Sequence, residues 1–224
     1  MPDLHIIGDS HTAALHEAAE RRGQKAHLLY ISGNHWHVNR MRAHGSMGVS
    51  AAWRPALQQQ IATYAERVGG SIFPEGQVVL ASIGYHLGRL APLFARSGHS
   101  ASLEDNETFF VSQAFTRQWL HSHRGALIRI LRLGSKRCKL VVIAPPMVQP
   151  DPNATEFARL LTAMLRESGV TVFDPREEVD WLGQALPAHL RAPDGVHGNA
   201  AYGEEILSRL EARRLIPQSI PLAG

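Results

Sequence analysis

The sequence predicts an α/β fold: a central, mainly parallel five-stranded sheet with helices on both faces. Three observations carry that expectation. Short apolar runs alternate with stretches of helical periodicity along the chain. The runs are continuous rather than alternating apolar with polar, as strands covered on both faces are. Glycine or proline ends several segments, as at Gly23, Gly134 and Pro145-Pro146.

The elements follow in order. Residues 4–7 read as a first strand. Residues 12–22 read as a helix with Ala14, Leu15 and Ala18 on one face. A second strand spans 26–31. Residues 55–68 are helical, with Leu57, Ile61 and Tyr64 in register. A third strand spans 77–82. A long helix covers 115–133, with Trp119, Leu127, Ile130 and Leu131 aligned, and a fourth strand covers 140–144. Residues 154–167 form a helix that turns Phe157, Leu160, Leu161 and Met164 inward. A short fifth strand at 170–173 precedes a closing helix at 200–213, carrying Ile206, Leu207 and Leu210.

Two segments break this rhythm. Residues 34–52 hold His35, Trp36, His37 and His44. Residues 85–110 end in a polar half containing Glu104-Asp105-Asn106-Glu107. Insertions of this length after strands shape or cover a pocket. No repeat, low-complexity tract or linker interrupts the chain, so residues 1–224 read as one domain. The tail after Leu215 reads as a surface arm.

Composition narrows the function classes. A chain of 224 residues with 44% hydrophobic content has room for a full core. The net charge of +3 is spread over scattered arginines, without a basic block beside aromatics, so nucleic-acid binding is not expected. The single cysteine, Cys138, excludes an internal disulfide and reads as a half-buried thiol. No apolar run reaches the ~18 residues of a membrane span, and the N-terminus enters a strand at once without a signal core. A cytoplasmic location is expected. The oligomeric state is not legible.

In sheets of this kind ligands sit beyond the carboxyl ends of the strands. Ser10, Gly33 and Gly84 all fall just past strand ends and share that rim. Ser10 lies in Ile6-Ile7-Gly8-Asp9-Ser10-His11, and Asp194-Gly195-Val196-His197 lies near the other end of the chain. A serine hydroxyl becomes a nucleophile when a histidine takes its proton, and a carboxylate holds that histidine in the right tautomer. Ser10, His197 and Asp194 are the candidate catalytic residues, with Asp174, just past the fifth strand, as rival partner for His197. Asp9 reads as a hydrogen-bonding support beneath the serine.

With these motifs the chain resembles the SGNH hydrolases, the GDSL esterase/lipase superfamily, over roughly residues 3–212. Gly8-Asp9-Ser10 matches the first block, the glycine of Ile31-Ser32-Gly33-Asn34 the second, and Asp194-x-x-His197 the last. The third block departs: Gly84-Tyr85-His86 has histidine where the family has asparagine. The resemblance implies a flavodoxin-like three-layer α/β/α sandwich and a serine esterase acting on a small carboxylic ester or an O-acetylated carbohydrate. It also implies an oxyanion hole made by the backbone N–H groups of Ser10 and Gly33 and the His86 side chain. His11 after the serine is similar to SGNH domains associated with carbohydrate O-acyl transfer. An O-acyltransferase on the same triad, or a non-catalytic carbohydrate-binding module, are the alternatives.

His11, His35, Trp36 and Tyr85 are the expected substrate-binding residues, with Leu87, Leu90 and the Met47 region adding apolar contact. Thirteen histidines raise the question of a metal. His121 and His123 are two apart within a helix and diverge. His35 and His37 lie in a loop without a carboxylate or cysteine beside them, and zinc takes three or four ligands. No metal and no cofactor are expected.

Overall fold

Leu4–Gly8 (β1) is buried along its whole length and sets the centre of the molecule. The structure, a computed structural model, describes residues 3–37, 40–103, 108–148, 151–178, 180–181 and 184–218. After β1 come Thr12–Arg21 (α1), Ala26–Tyr30 (β2), Gly33–His37 (α2), Arg42–His44 (β3), Gly48–Ser50 (β4) and Pro55–Arg67 (α3). Val78–Ser82 (β5), Leu90–Arg96 (α4), His99–Ser100 (β6), Phe109–Phe110 (β7) and Gln113–Ser135 (α5) follow. Lys139–Ile143 (β8), Pro152–Glu167 (α6), Thr171–Phe173 (β9) and Ala200–Ala212 (α7) complete the strands and α-helices of the described residues.

The main sheet has the order β2-β1-β5-β8-β9, and every pairing is parallel. Alternate residues of each strand feed two cores. Leu4 and Ile6 of β1, with Val141 and Ile143 of β8, pack against α1 and α7. Ile7, Val79, Leu140 and Val142 face the opposite side, where α3, α5 and α6 cover them. This is the three-layer α/β/α sandwich expected from the sequence, with the five strands in the expected places.

Helix ends are set by local chemistry. Ser112 accepts from the N–H of Phe115, so α5 begins two residues before the periodicity alone suggests. Asp151 accepts from Ala154 N–H at 2.6 Å, with Pro152 in the first turn, and starts α6 early in the same way. Asn199 caps α7.

Most of each insertion extends the core, while residues 85–88 at the start of the second shape the cleft beyond β5. The first folds into α2 and the β3–β4 hairpin, burying Trp36, Met41 and Val49 in the larger core. The second forms α4 and the short β6–β7 pair, where Phe94 meets Trp119 and Phe157 edge-on. Both extend the core on the α5–α6 side, because their large side chains find apolar partners there. Residues 104–107 and the tail 219–224 lie outside the described residues. Cys138 is buried rather than half-buried, donates to the Gly134 carbonyl at 3.3 Å, and is pushed up to about 12 by burial. No helix among the described residues is long and apolar enough to cross a membrane.

Candidate active site

The chain leaves β1 towards the α1 face, whereas the segment after β5 leads to the opposite face. Adjacent strands whose connections diverge leave a crevice at their carboxyl ends. Ser10 sits there. Gly8 has φ of 155°, and a Cβ on it would lie 2.3 Å from the Ser82 carbonyl oxygen of β5. Only glycine lets the chain pass this close before turning into α1. The turn is then locked: Asp9 N–H donates to Ser82 O, Thr12 N–H to Asp9 O, and His11 N–H to Asp9 Oδ1.

The second half arrives from the loop before α7. Ala192 N–H donates to His197 O and Gly195 N–H to Ala192 O, closing a tight loop in which Gly195 takes φ of 67°. Asp194 works within this loop twice. Its Oδ1 accepts from the N–H groups of Val196 (2.9 Å) and His197 (3.0 Å), and its Oδ2 lies 2.6 Å from His197 Nδ1. The three-residue spacing is what lets one carboxylate reach both the turn and the ring. The opposite ring nitrogen, Nε2, is 2.7 Å from Ser10 Oγ. A carboxylate only accepts, so Nδ1 donates to Asp194 and Nε2 is left to accept from the serine hydroxyl. The His197 hydrogen bond, reinforced by the two backbone N–H groups, holds the Asp194 carboxyl down to about 2.

His86 comes from the loop after β5. It is half-buried, and its imidazole lies directly over Gly33: a Cβ on that glycine would be 2.7 Å from His86 Nδ1. The loop is pinned from beneath by Arg124 of α5, fully buried, whose Nε donates to Gly84 O (2.7 Å) and Nη2 to His86 O (3.0 Å). Burial, with nearby Arg124 and Arg89, lowers the His86 pKa, which favours a neutral ring. His11 tilts its ring against that of His197, centroids 4.8 Å apart, and burial pushes it down to about 3.

Two other carboxylates stand close by. Asp9 is 3% exposed, and burial pushes its carboxyl up to about 6. Asp174, the rival partner for His197, is turned away: it pairs with Arg176 and accepts from Thr162 Oγ1 at 3.0 Å.

Ser10 and His197 open onto two chambers. One, of about 310 Å³, also takes in His11, His86, Tyr85 and Arg176. The other, of about 620 Å³, takes in Asp194, Tyr30, Glu17 and Arg21. Of the expected substrate-binding residues, His11 and Tyr85 line the first chamber, although the Tyr85 hydroxyl is engaged with Thr162 Oγ1 at 2.7 Å. The other two differ from expectation. Trp36 is 1% exposed and belongs to the core, because α2 turns it towards the α5 side. His35 turns to Arg54 (2.9 Å) and the edge of Trp53, and lines neither chamber. Leu90 is core as well, and Met47 accepts from Gln58 in the hairpin region. Sequence reasoning missed Met147, Ala158, Arg124 and Arg176. The rule that marked Ser10 would have marked Met147, which lies just past the end of β8.

Among the described residues no group of three or more His, Cys, Asp or Glu side chains is placed to hold a metal. The His37 side chain, half of one expected pair, lies outside the described atoms.

No family model matches the chain, and no curated protein matches it in sequence. Solved structures do. A catalytic mutant of an acetylxylan esterase from Geobacillus stearothermophilus is 14% identical, with 98% of this chain and 96% of that one covered and a TM-score of 0.50. A lipase/acylhydrolase from Enterococcus faecalis is 14% identical over 100% of both chains, with a TM-score of 0.45. A psychrotrophic esterase from Pseudoalteromonas sp. is 14% identical over 96% of this chain and 99% of that one, also at 0.45. The likeness to the acetylxylan esterase is one of fold: a parallel sheet between two helical layers.

Proposed function

We propose that the protein is a serine esterase that cleaves a small carboxylic ester through an acyl-enzyme. One observation carries the reading: an unbroken hydrogen-bonded line from Ser10 Oγ through His197 to Asp194, at 2.7 and 2.6 Å. Ser10 attacks the ester carbonyl while His197 Nε2 takes its proton. His197 returns that proton to the leaving alcohol, and the C–O bond to the alcohol breaks. Asp194 orients the ring and stabilises its charged form. Water, deprotonated by the same imidazole, then releases the acid and frees Ser10. Every reacting group comes from the chain, so no cofactor is required.

The tetrahedral oxygen takes the N–H groups of Ser10 and Gly33 and an N–H of His86. A neutral imidazole retains one N–H to give, and burial favours that state. Loss of one such donor costs about 10²–10³ in turnover. His86→Ala should therefore lower kcat far more than it raises KM, and His86→Asn should recover part of the loss. Equal kinetics in all three proteins would remove His86 from the mechanism.

The open second chamber favours one further reading, an O-acyltransferase in which an alcohol such as a carbohydrate hydroxyl replaces water. Product ester accumulating faster than free acid, when a glycan alcohol is supplied, would identify it. A fluorophosphonate probe separates either enzyme from a binding module. Labelling that disappears in Ser10→Ala is expected, and folded wild-type protein that stays unlabelled would sink the esterase.

A further inference from the structure

The two chambers that meet at Ser10 are built from different segments. The larger lies between α1 and the start of α7, where Ala13, Ala14, Pro193 and Ala201 alternate with Glu17, Arg21 and Asn199. The smaller, past His86, is walled by Leu87, Met147, Val148, Ala154, Ala158 and Val196, contributed by the turn after β5, the loop after β8, the first turns of α6 and the His197 loop. Its one arginine, Arg176, is committed: Nε reaches Asp174 Oδ1 at 2.7 Å and Nη2 reaches Oδ2. The Tyr85 hydroxyl is likewise committed to Thr162.

We propose that the smaller chamber is an acyl pocket for a neutral chain of intermediate length, about four to eight carbons, and that the site is not built for acetyl. This rests on the esterase reading above. Size is the first argument. Carbon atoms of a chain each fill about a water's share of volume, ~30 Å³, so an acetyl group would use roughly 60 Å³. The chamber measures about 310 Å³. Apolar walls around the remainder would stay poorly hydrated with acetyl and be covered by a longer chain. Placement is the second argument. His86 borders only the smaller chamber, and Asp194 only the larger. The carbonyl oxygen points to the former and the acyl chain hangs from the same carbon. The leaving alcohol belongs beside the ring that Asp194 orients. The ion pair of Arg176 is the third argument, since Asp174 offsets that guanidinium's charge and occupies its Nε and Nη2, which weakens its pull on a chain ending in carboxylate.

The test varies the acyl group on a constant alcohol. kcat/KM for p-nitrophenyl acetate, butyrate, hexanoate and octanoate should rise about fourfold per added methylene, at least as far as hexanoate. The hemisuccinate should fall well below butyrate. Ala154→Phe, which adds a ring at a half-buried position facing the chamber, should lower the hexanoate-to-acetate ratio at least about tenfold. Leu87→Ala should move the optimum to longer chains. A profile flat or falling from acetate, or a ratio that Ala154→Phe leaves unmoved, overturns the pocket while leaving the esterase in place. Binding provides a readout without chemistry. In Ser10→Ala protein, calorimetry should find octanoate at least about tenfold tighter than acetate, with the preference lost on adding Ala154→Phe. If octanoate binds so but no ester is cleaved and no phosphonate labels Ser10, the esterase reading fails and the apolar chain site stands. Octanoate no tighter than acetate overturns the site whatever the turnover.

Discussion

Asp9 and Asp194 sit on either side of one crevice and have opposite fates. Asp9, adjacent to Ser10, is almost fully buried and accepts one backbone N–H, from His11. Burial dominates, and its carboxyl rises to about 6. Asp194 is exposed, accepts from two backbone N–H groups and the His197 ring, and falls to about 2. Proximity in sequence to the serine therefore does not select the carboxylate that meets the imidazole. The hydrogen bonds that meet it do, because they favour the charged form that an imidazolium needs beside it.

The comparison breaks most visibly at Asp194. Asp194→Asn keeps an oxygen for the backbone N–H groups but sets an amide opposite His197 Nδ1, favouring the wrong tautomer. Turnover should fall about 10³–10⁴-fold in steady-state kinetics, with the melting temperature almost unchanged. Turnover within tenfold of wild type would release Asp194 from its role.

Asp174 sharpens the contrast, being buried like Asp9 but paired. Asp174→Asn leaves Arg176 half-buried without its partner, so urea denaturation should show a loss of about 3–5 kcal/mol. Turnover of the folded fraction should stay far above that of Asp194→Asn. The reverse order would hand the orienting role to Asp174.

Asp9 gives a smaller effect of opposite sign. Its carboxyl binds a proton more tightly folded than unfolded, so its contribution is full below about 3.8 and is lost as pH rises through about 6. Above that the buried charge is a cost. Asp9→Asn should raise stability by roughly 2–3 kcal/mol at pH 7.5 and hardly at all at pH 3.5, read from urea midpoints at the two values. An equal gain at both would mean that ionisation is not the cause.

Much of this arrangement is legible in the residues. Asp194-x-x-His197 closes on itself within one turn, so its geometry is local and short spacing suffices to read it. Gly8-Asp9-Ser10 at a strand end is local too. Trp36 was misread for the opposite reason. An aromatic beside histidines in a loop-like segment has no periodicity to mark its face, and its burial is set by α5, distant in sequence. Arg124 was missed because it lies mid-helix, where an arginine is ordinarily solvated, and its partners are carbonyls some 40 positions away.

The sequence by itself determined the alternation of strands and helices, the caps that bound them, and the loop that holds His197, because each depends on interactions within a few residues. Only the tertiary structure decided which side chains share a chamber with Ser10, that Trp36 joins the core, and that Arg124 anchors the loop after β5. Those outcomes depend on burial and on partners that the chain supplies from remote segments, and neither exists until the sheet has brought the strand ends together.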